Sequence, residues 1–311
     1  MLAKRPVPSR TGAKAAIMST PSGSRLRVAL IGAGVVGTAV TEVLRRAGHE
    51  VTGVSSRRAE SAERSAARLE TRTFDHKSEL PPADVLLLGV PDEAIGPVVS
   101  EVGRPLAPGA VVVHFAGALG IEPLAEASAA GAGVAALHPV QTFPDVERGI
   151  ERLPGSAWGV TASPEIEPWA SGLIAADLGG LPVIVPEEAR PVWHAAAAST
   201  SNGIAALLAA GEAMLAAIGI DEPHRVLGPL AAGTVANASE RGAAESLTGP
   251  VVRSETTSIA RHLDALTDAS PQLAEDYARI SGVIVDAAMR AHRIEKDKAE
   301  KMLELLENRP R

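Results

Sequence analysis

"LRVALIGAGVVGTAVTEVLRRAGHEVTGVSSRR", residues 26–58, sets three glycines behind a short apolar run and closes on two serines and two arginines. "GAGVVG" matches G-x-G-x-x-G at Gly32, Gly34 and Gly37, directly after a predicted strand and at the start of a predicted helix. In that setting each glycine serves a mechanical purpose, giving in turn a tight bend, room for a pyrophosphate beside the backbone, and close contact between helix and strand. The amino terminus of the helix adds unpaired N–H groups and a partial positive charge. Gly32, Gly34, Val35, Val36 and Gly37 are therefore candidate phosphate-binding residues; the plainer reading is that the glycines only turn the chain.

A site for NAD usually places Asp or Glu on the ribose about 20 residues past the first glycine. Here the second strand ends in "GVSSRR". Ser55 and Ser56 can donate to a 2′-phosphate while Arg57 or Arg58 pairs with its charge, which favours NADP over NAD. Alternatively, both arginines open a solvated helix. Further on, "DVLLLGVPDEAI" ends a fourth strand at Val90 and Pro91, where the backbone would pass the ribose and nicotinamide half of the cofactor. Pro91 followed by acids is equally a helix start.

Outward from this motif, β-branched runs alternate with helical patterns between residues 26 and 186, the signature of βαβ units. Strands are expected at Arg27–Ile31, Glu50–Val54, Thr71–Phe74, Asp84–Val90, Ala110–His114, Gly133–Leu137, Ala157–Thr161 and Pro182–Val185. From Pro191 the spacing turns helical, with breaks at "GIDEPH", "SLTGPVVRSETTS" and "DASPQ", and the last helix ends in "RIEKDKAEKMLELLENRPR". The expected fold is α/β: a Rossmann-like, doubly wound, mostly parallel sheet followed by an all-α domain. Residues 1–24 read as a disordered tail, 25–187 as the NADP-binding domain and 188–311 as a helical substrate and dimerisation domain.

Composition narrows the function classes. A chain of 311 residues exceeds one comfortable core. Its 46% apolar residues include only three Trp, three Phe and one Tyr, so the core must be Ala, Val, Leu and Ile. A net charge of −7 without a basic stripe argues against nucleic acid. With no cysteine, disulfides and thiolate chemistry are excluded. Residues 195–220 are Ala- and Leu-rich but hold Asn202, Glu212 and three glycines, so they are expected to form a buried helix and not a membrane span. The cytoplasm is the expected compartment.

Hydride transfer to a carbonyl or imine needs a proton donor and a grip on the substrate. A Tyr-x-x-x-Lys pair is absent, because Tyr277 is followed at that spacing by Ser281. His138 opens "HPVQTF" at a strand end with Gln141 close behind, and either holds a carboxylate, gives a proton or caps a helix. His114 reads as structural. His194 begins the long helix, with Ser201 on the same face and Asn202 about 80° away; a core histidine is the plain alternative. Thr248 and Arg253 in "LTGPVVR" could reach a cleft, from this chain or a partner, or be a cap and a surface charge.

Together "GAGVVG", "GVPDEAI", "HFAGALG", "LHPVQTF", "WHAAAASTSN" and "LTGPVVR" resemble a family of oxidoreductases that join a Rossmann-like domain to a helical domain of unknown function. The family is similar in plan to the 6-phosphogluconate dehydrogenase-like superfamily, including pyrroline-5-carboxylate reductase, 3-hydroxyisobutyrate dehydrogenase and ketopantoate reductase. The resemblance implies an NADP-binding homodimer with its active site between the domains. Hydroxyacid dehydrogenases of that superfamily carry Lys-x-x-x-Asn. If Asn202 matches the asparagine, Ala198 stands at the lysine, leaving His194 or His138 as proton donor. Ala116 stands where relatives tend to have Ser, and "RSE" at 253–255 where Arg-Gly-Asp is usual. The expected activity is NADPH-dependent reduction of a small carboxylate, a ketopantoate-like 2-oxo acid or cyclic imine. The alternative is a non-catalytic NADP(H) sensor.

Overall fold

A computed structural model describes residues 25–102, 106 and 109–307, and the expected tail at 1–24 lies outside them. The chain divides into two compact units, Met1–Ala198 and Ser199–Arg311. The first holds a seven-stranded sheet: β1 (Arg27–Ile31), β2 (Glu50–Ser55), β3 (Val85–Leu88), β4 (Val111–His114), β5 (Gly133–Pro139), β6 (Ala157–Ala162) and β7 (Leu181–Ile184). Their order is β2-β1-β3-β4-β5-β6-β7, and every neighbouring pair is parallel except β5 with β6. Helices α1 (Val35–Arg46), α2 (Ala59–Arg68), α3 (Ile95–Glu101), α4 (Ala125–Ala129), α5 (Val146–Arg152) and α6 (Glu167–Ala176) alternate with the strands. The chain leaves β1 toward β2 on one side and returns to β3 on the other. A crevice therefore opens at the carboxyl ends of β1 and β3.

The unbroken apolar runs of the central strands follow from burial on both faces. Val28, Leu30, Val85, Leu87, Val111 and Val113 enter one core with Val40 and Leu44 of α1. The residues between them, Ala29, Ile31, Leu86, Leu88 and Val112, enter a second with Ile95 and Val98 of α3. Period 2 thus distributes one strand between two layers.

One expected strand is corrected. Thr71–Phe74 contributes only a single parallel bridge, Thr73 to Val54, outside β2. Val54 donates to Arg72 O and Phe74 to Val54 O, and the chain then turns at Asp75. That early turn limits the segment to one bridge along β2. It nevertheless stays on the carboxyl side of β2.

Helix α7 (Arg190–Ala217) spans the division between the units, and α8 (Pro223–Arg241), α9 (Thr256–Ala269), α10 (Pro271–Arg290) and α11 (Lys296–Glu307) complete the second. The helices break where the sequence turns were expected, with one exception. The charged terminal segment is a separate helix, α11, because His292 adopts a φ of 54° and ends α10. Ile259, Leu263, Val285, Ala288, Met302 and Leu306 form the core of α9–α11. The expectation of a buried helix over 195–220 is also corrected: Arg190 is the only buried residue of α7, and α8 has none. Among the described residues no helix is long and apolar enough to cross a membrane.

Candidate functional site

A cavity of about 1510 Å³ runs along the carboxyl ends of β1 to β5, walled entirely by residues of the first unit. At one end lies the glycine turn. Gly32 has a φ of 100°, and a Cβ there would sit 2.4 Å from the carbonyl of Gly89. Gly37 sits so that a Cβ would fall 2.9 Å from Gly32 O and 3.2 Å from Gly89 Cα. Two backbones therefore meet without side chains between them, drawing the start of α1 against the tip of β3. A Cβ on Gly34 would meet only Gly89 O, at 3.5 Å, so that position faces open space. Val35 and Val36 begin α1 beside it, and Val90 and Pro91 line the same wall.

Ser55 at the end of β2, and Ser56, Arg57 and Arg58 after it, line the cavity together with Thr73, Asp75, His76 and Lys77 from the shortened segment. Ser55 is buried and its hydroxyl is 2.9 Å from His76 Nδ1. His76 and Lys77 had no sequence signal beyond their charge, because only the Thr73 bridge brings them beside β2.

The other end is built by the start of α7. Arg190, Trp193 and His194 stand at i, i+3 and i+4, on one helical face. Arg190 is fully buried and donates to Leu119 O at 2.9 Å, Gly159 O at 3.1 Å and Ala116 O at 2.5 Å. Burial pulls its guanidinium down to about 10, with Glu187 and Asp92 opposing, so it is a cation at neutral pH. Trp193 lies over Gly159, the β6 residue paired with His138 of β5, and its indole N–H donates to His138 Nδ1 at 3.0 Å.

That bond leaves the His138 proton on Nε2. Burial first, then the Arg190 and His194 charges, push the imidazolium down to about 4, so His138 is neutral at pH 7. His194 meets it edge to face, with centroids 5.6 Å apart. Gly117 lies against both rings; a Cβ there would come 2.4 Å from His194 Cδ2 and 2.9 Å from His138 Nε2. The loop carrying Gly117 is fastened by three groups. His114 Nδ1 accepts from Ala116 N and its Nε2 bonds Gly120 O at 2.7 Å, burial holding it below its ordinary range. Glu187 accepts from Ile121 N and Glu122 N. Arg190 completes the set.

His138, His194 and Gln141 are thus brought to the cavity that also holds all ten expected cofactor residues. Gln141 is already engaged, donating to Ser156 Oγ and accepting from Thr142 N. Asn202 is not among the described residues that line the cavity; it lies eight residues beyond His194 on α7, exposed, in the second unit. Arg253, in the second unit, pairs with Glu255 at 2.6 Å. Among the described residues no His, Asp or Glu cluster suits a metal. Sequence reasoning missed Gly89, Gly117, Arg190 and Trp193. All four act through contacts distant in the chain.

A Rossmann-like domain model matches residues 14–139, and a domain of unknown function (DUF2520) matches residues 156–284. No curated protein matches the chain. Among solved structures, a protein of Bacteroides fragilis described as an NADP oxidoreductase is 24% identical, with a TM-score of 0.69 over 84% of this chain and 98% of its own. A reductive aminase of Aspergillus terreus, in complex with NADPH and ethyl levulinate, is 18% identical, with a TM-score of 0.61 over 89% and 98%. A 1-pyrroline-5-carboxylate reductase of Streptococcus pyogenes is 14% identical, with a TM-score of 0.57 over 90% and 99%. At these identities the likeness is one of fold.

Proposed function

We propose that this chain, which joins a Rossmann-like domain to the domain of unknown function DUF2520, is an NADPH-dependent reductase of small carboxylates bearing a C=O or C=N group. The observation that carries the reading is a single cavity with a phosphate-binding turn at one end and a histidine pair at the other. The fold relatives include a reductive aminase in complex with NADPH and a pyrroline-5-carboxylate reductase, which supports the same class.

The residues present fit the dinucleotide. Gly34 leaves open space where backbone must approach a pyrophosphate, and the N–H groups opening α1 face the same cavity. Ser55, Ser56 and Arg57 replace the acid that would select an unphosphorylated ribose. Bound NADPH supplies the hydride that the C=O or C=N carbon accepts. His138 offers its Nε2–H as a fixed hydrogen-bond donor to the substrate. A histidine that gives up its protonated form near pH 4 is a poor proton source at pH 7, so proton delivery is assigned to His194, which lines the cavity beside it. His194 gives its proton to the oxygen or nitrogen as the carbon gains hydride, and regains one from solvent. Gln141 shapes the wall, and Asn202, exposed further along α7 and off that wall, has no part in this arrangement.

The reading includes a homodimer through the helical region and a cytoplasmic location. Support for the dimer is apolar exposure on α7 and α8 and the turn between them: Val192 72%, Ile218 72%, Leu230 67% and Val226 56%. Such surface is costly to leave in water.

One observation favours a second reading, a non-catalytic NADP(H) sensor: no lysine or tyrosine lines the histidine end among the described residues. Mixing the protein and NADPH with 2-oxo acids and cyclic imines separates the two. Substrate-dependent oxidation supports the reductase; NADPH affinity without turnover on any of them supports the sensor.

A further inference from the structure

We infer that His76 and Lys77 complete the 2′-phosphate site, and that NADPH binding reverses the Ser55–His76 hydrogen bond with uptake of a proton. The inference rests on the cofactor reading above and goes beyond it in assigning two residues and a proton.

The bridge between Thr73 and Val54 sets residues 72–74 parallel to β2, so the turn that follows, with His76 and Lys77, emerges beside the tip that carries Ser55. Both segments wall the same cavity. His76 is tied to that tip by its Nδ1, 2.9 Å from Ser55 Oγ. Its Nε2 is buried without a hydrogen bond, 3.7 Å from Glu101 Oε2 of α3. The same carboxylate oxygen lies 3.2 Å from Lys77 Nζ. The charged groups facing His76 are thus Glu101 from α3 and Asp75 and Lys77 from its own segment, with Arg57 and Arg58 on the shared wall.

The acids of the 75–79 turn, and Glu101 across from it, are already answered. Asp75 accepts from Lys77 N and Ser78 Oγ, and Glu79 accepts from Arg72. Glu101 has Lys77. Arg57 and Arg58 carry no ion pair among the described residues, which leaves them for an anion.

A neutral imidazole beside Glu101 keeps its proton on Nε2, toward the carboxylate. Its Nδ1 then accepts, and Ser55 must donate to it, presenting only lone pairs to a phosphate. Adding one proton from solvent makes Nδ1–H the donor to Ser55 Oγ. The serine O–H is then free for a phosphate oxygen, and the imidazolium takes over Glu101. Lys77, 61% exposed and held by that one pair, can turn to the phosphate. A 2′-hydroxyl calls for none of these changes.

The test is NADPH and NADH affinity of the full chain from about pH 6 to about pH 8. The preference for NADPH should fall about tenfold across that range. Ionisation of the phosphate itself acts in the opposite sense. In His76→Ala the fall disappears, and in Lys77→Ala the preference drops about tenfold at every pH with the slope retained. NADH affinity should stay unchanged in both. Calorimetry in buffers of different ionisation enthalpy should show proton uptake with NADPH in the wild type and none in His76→Ala. Wild-type preference and slope in both variants overturn this inference while leaving the cofactor reading intact. A wild-type protein that captures neither dinucleotide overturns the cofactor reading and this with it. Should His76→Ala fail to fold, Lys77→Ala decides alone, since an exposed side chain is removed there and an undiminished preference rejects the site.

Discussion

The two ends of the cavity are held by different physics. At the glycine end, backbone packs on backbone: Gly32, Gly37 and Gly89 meet because none has a side chain. At the histidine end, side chains do the holding, with one buried cation, one indole and two imidazoles spanning residues 138 to 194. All of the first arrangement but Gly89 is written into six consecutive residues. The second exists only once β5, β6 and the start of α7 have come together. A motif therefore announces the expected phosphate site well before anything announces the expected site of chemistry.

The contrast can be broken by mutation, since damage at one end should weaken capture and damage at the other should weaken turnover. His194→Ala should lower kcat by about a thousandfold while leaving NADPH affinity in place; steady-state rates beside a fluorescence titration check it, and unchanged turnover removes His194 from the chemistry. Gly32→Ala introduces a Cβ into the carbonyl of Gly89 at a positive φ, and should raise the NADPH dissociation constant by about a hundredfold or more. Arg190→Met strands three carbonyls and should lower stability by about 3 kcal/mol, read by chemical denaturation. Gly117→Ala should cost about tenfold in kcat through displaced rings, with cofactor affinity retained.

The smallest effect concerns acid. His138, held near 4 against an ordinary 6.5, and His114, also lowered, stay neutral in the folded protein while the unfolded chain takes up protons. Their contribution to stability is therefore full above about pH 6.5 and is lost as pH falls toward about 4. Denaturation midpoints across that interval should decline on acidification, and the decline should shrink in His138→Gln. An identical slope in that variant would show that His138 is not held neutral by its surroundings.

Much of the architecture was legible because it rests on local repetition. The alternation of Val28 and Leu30 with Ala29 and Ile31 signals a strand buried on both faces, whichever strands flank it. Thr71–Phe74 also reads as a strand yet forms one bridge to β2, since the turn at Asp75 takes the chain off the ladder and strand propensity does not report that. The long helix misled for a related reason: apolar composition reports a wish for burial, while α7 leaves that surface open in the single chain. At the site, the glycines, Ser55 and the histidines could be named from sequence. Arg190 could not, because a lone arginine at a helix start looks solvated until three distant carbonyls converge on it.

The indole of Trp193 stands one hydrogen bond behind the cavity wall, while Trp158 is sealed in the sheet core. Trp193 is thus a native optical probe. Its emission overlaps the absorption of a reduced nicotinamide, so occupancy and the state of the His138 ring can both be followed as light, with no label added to the molecule.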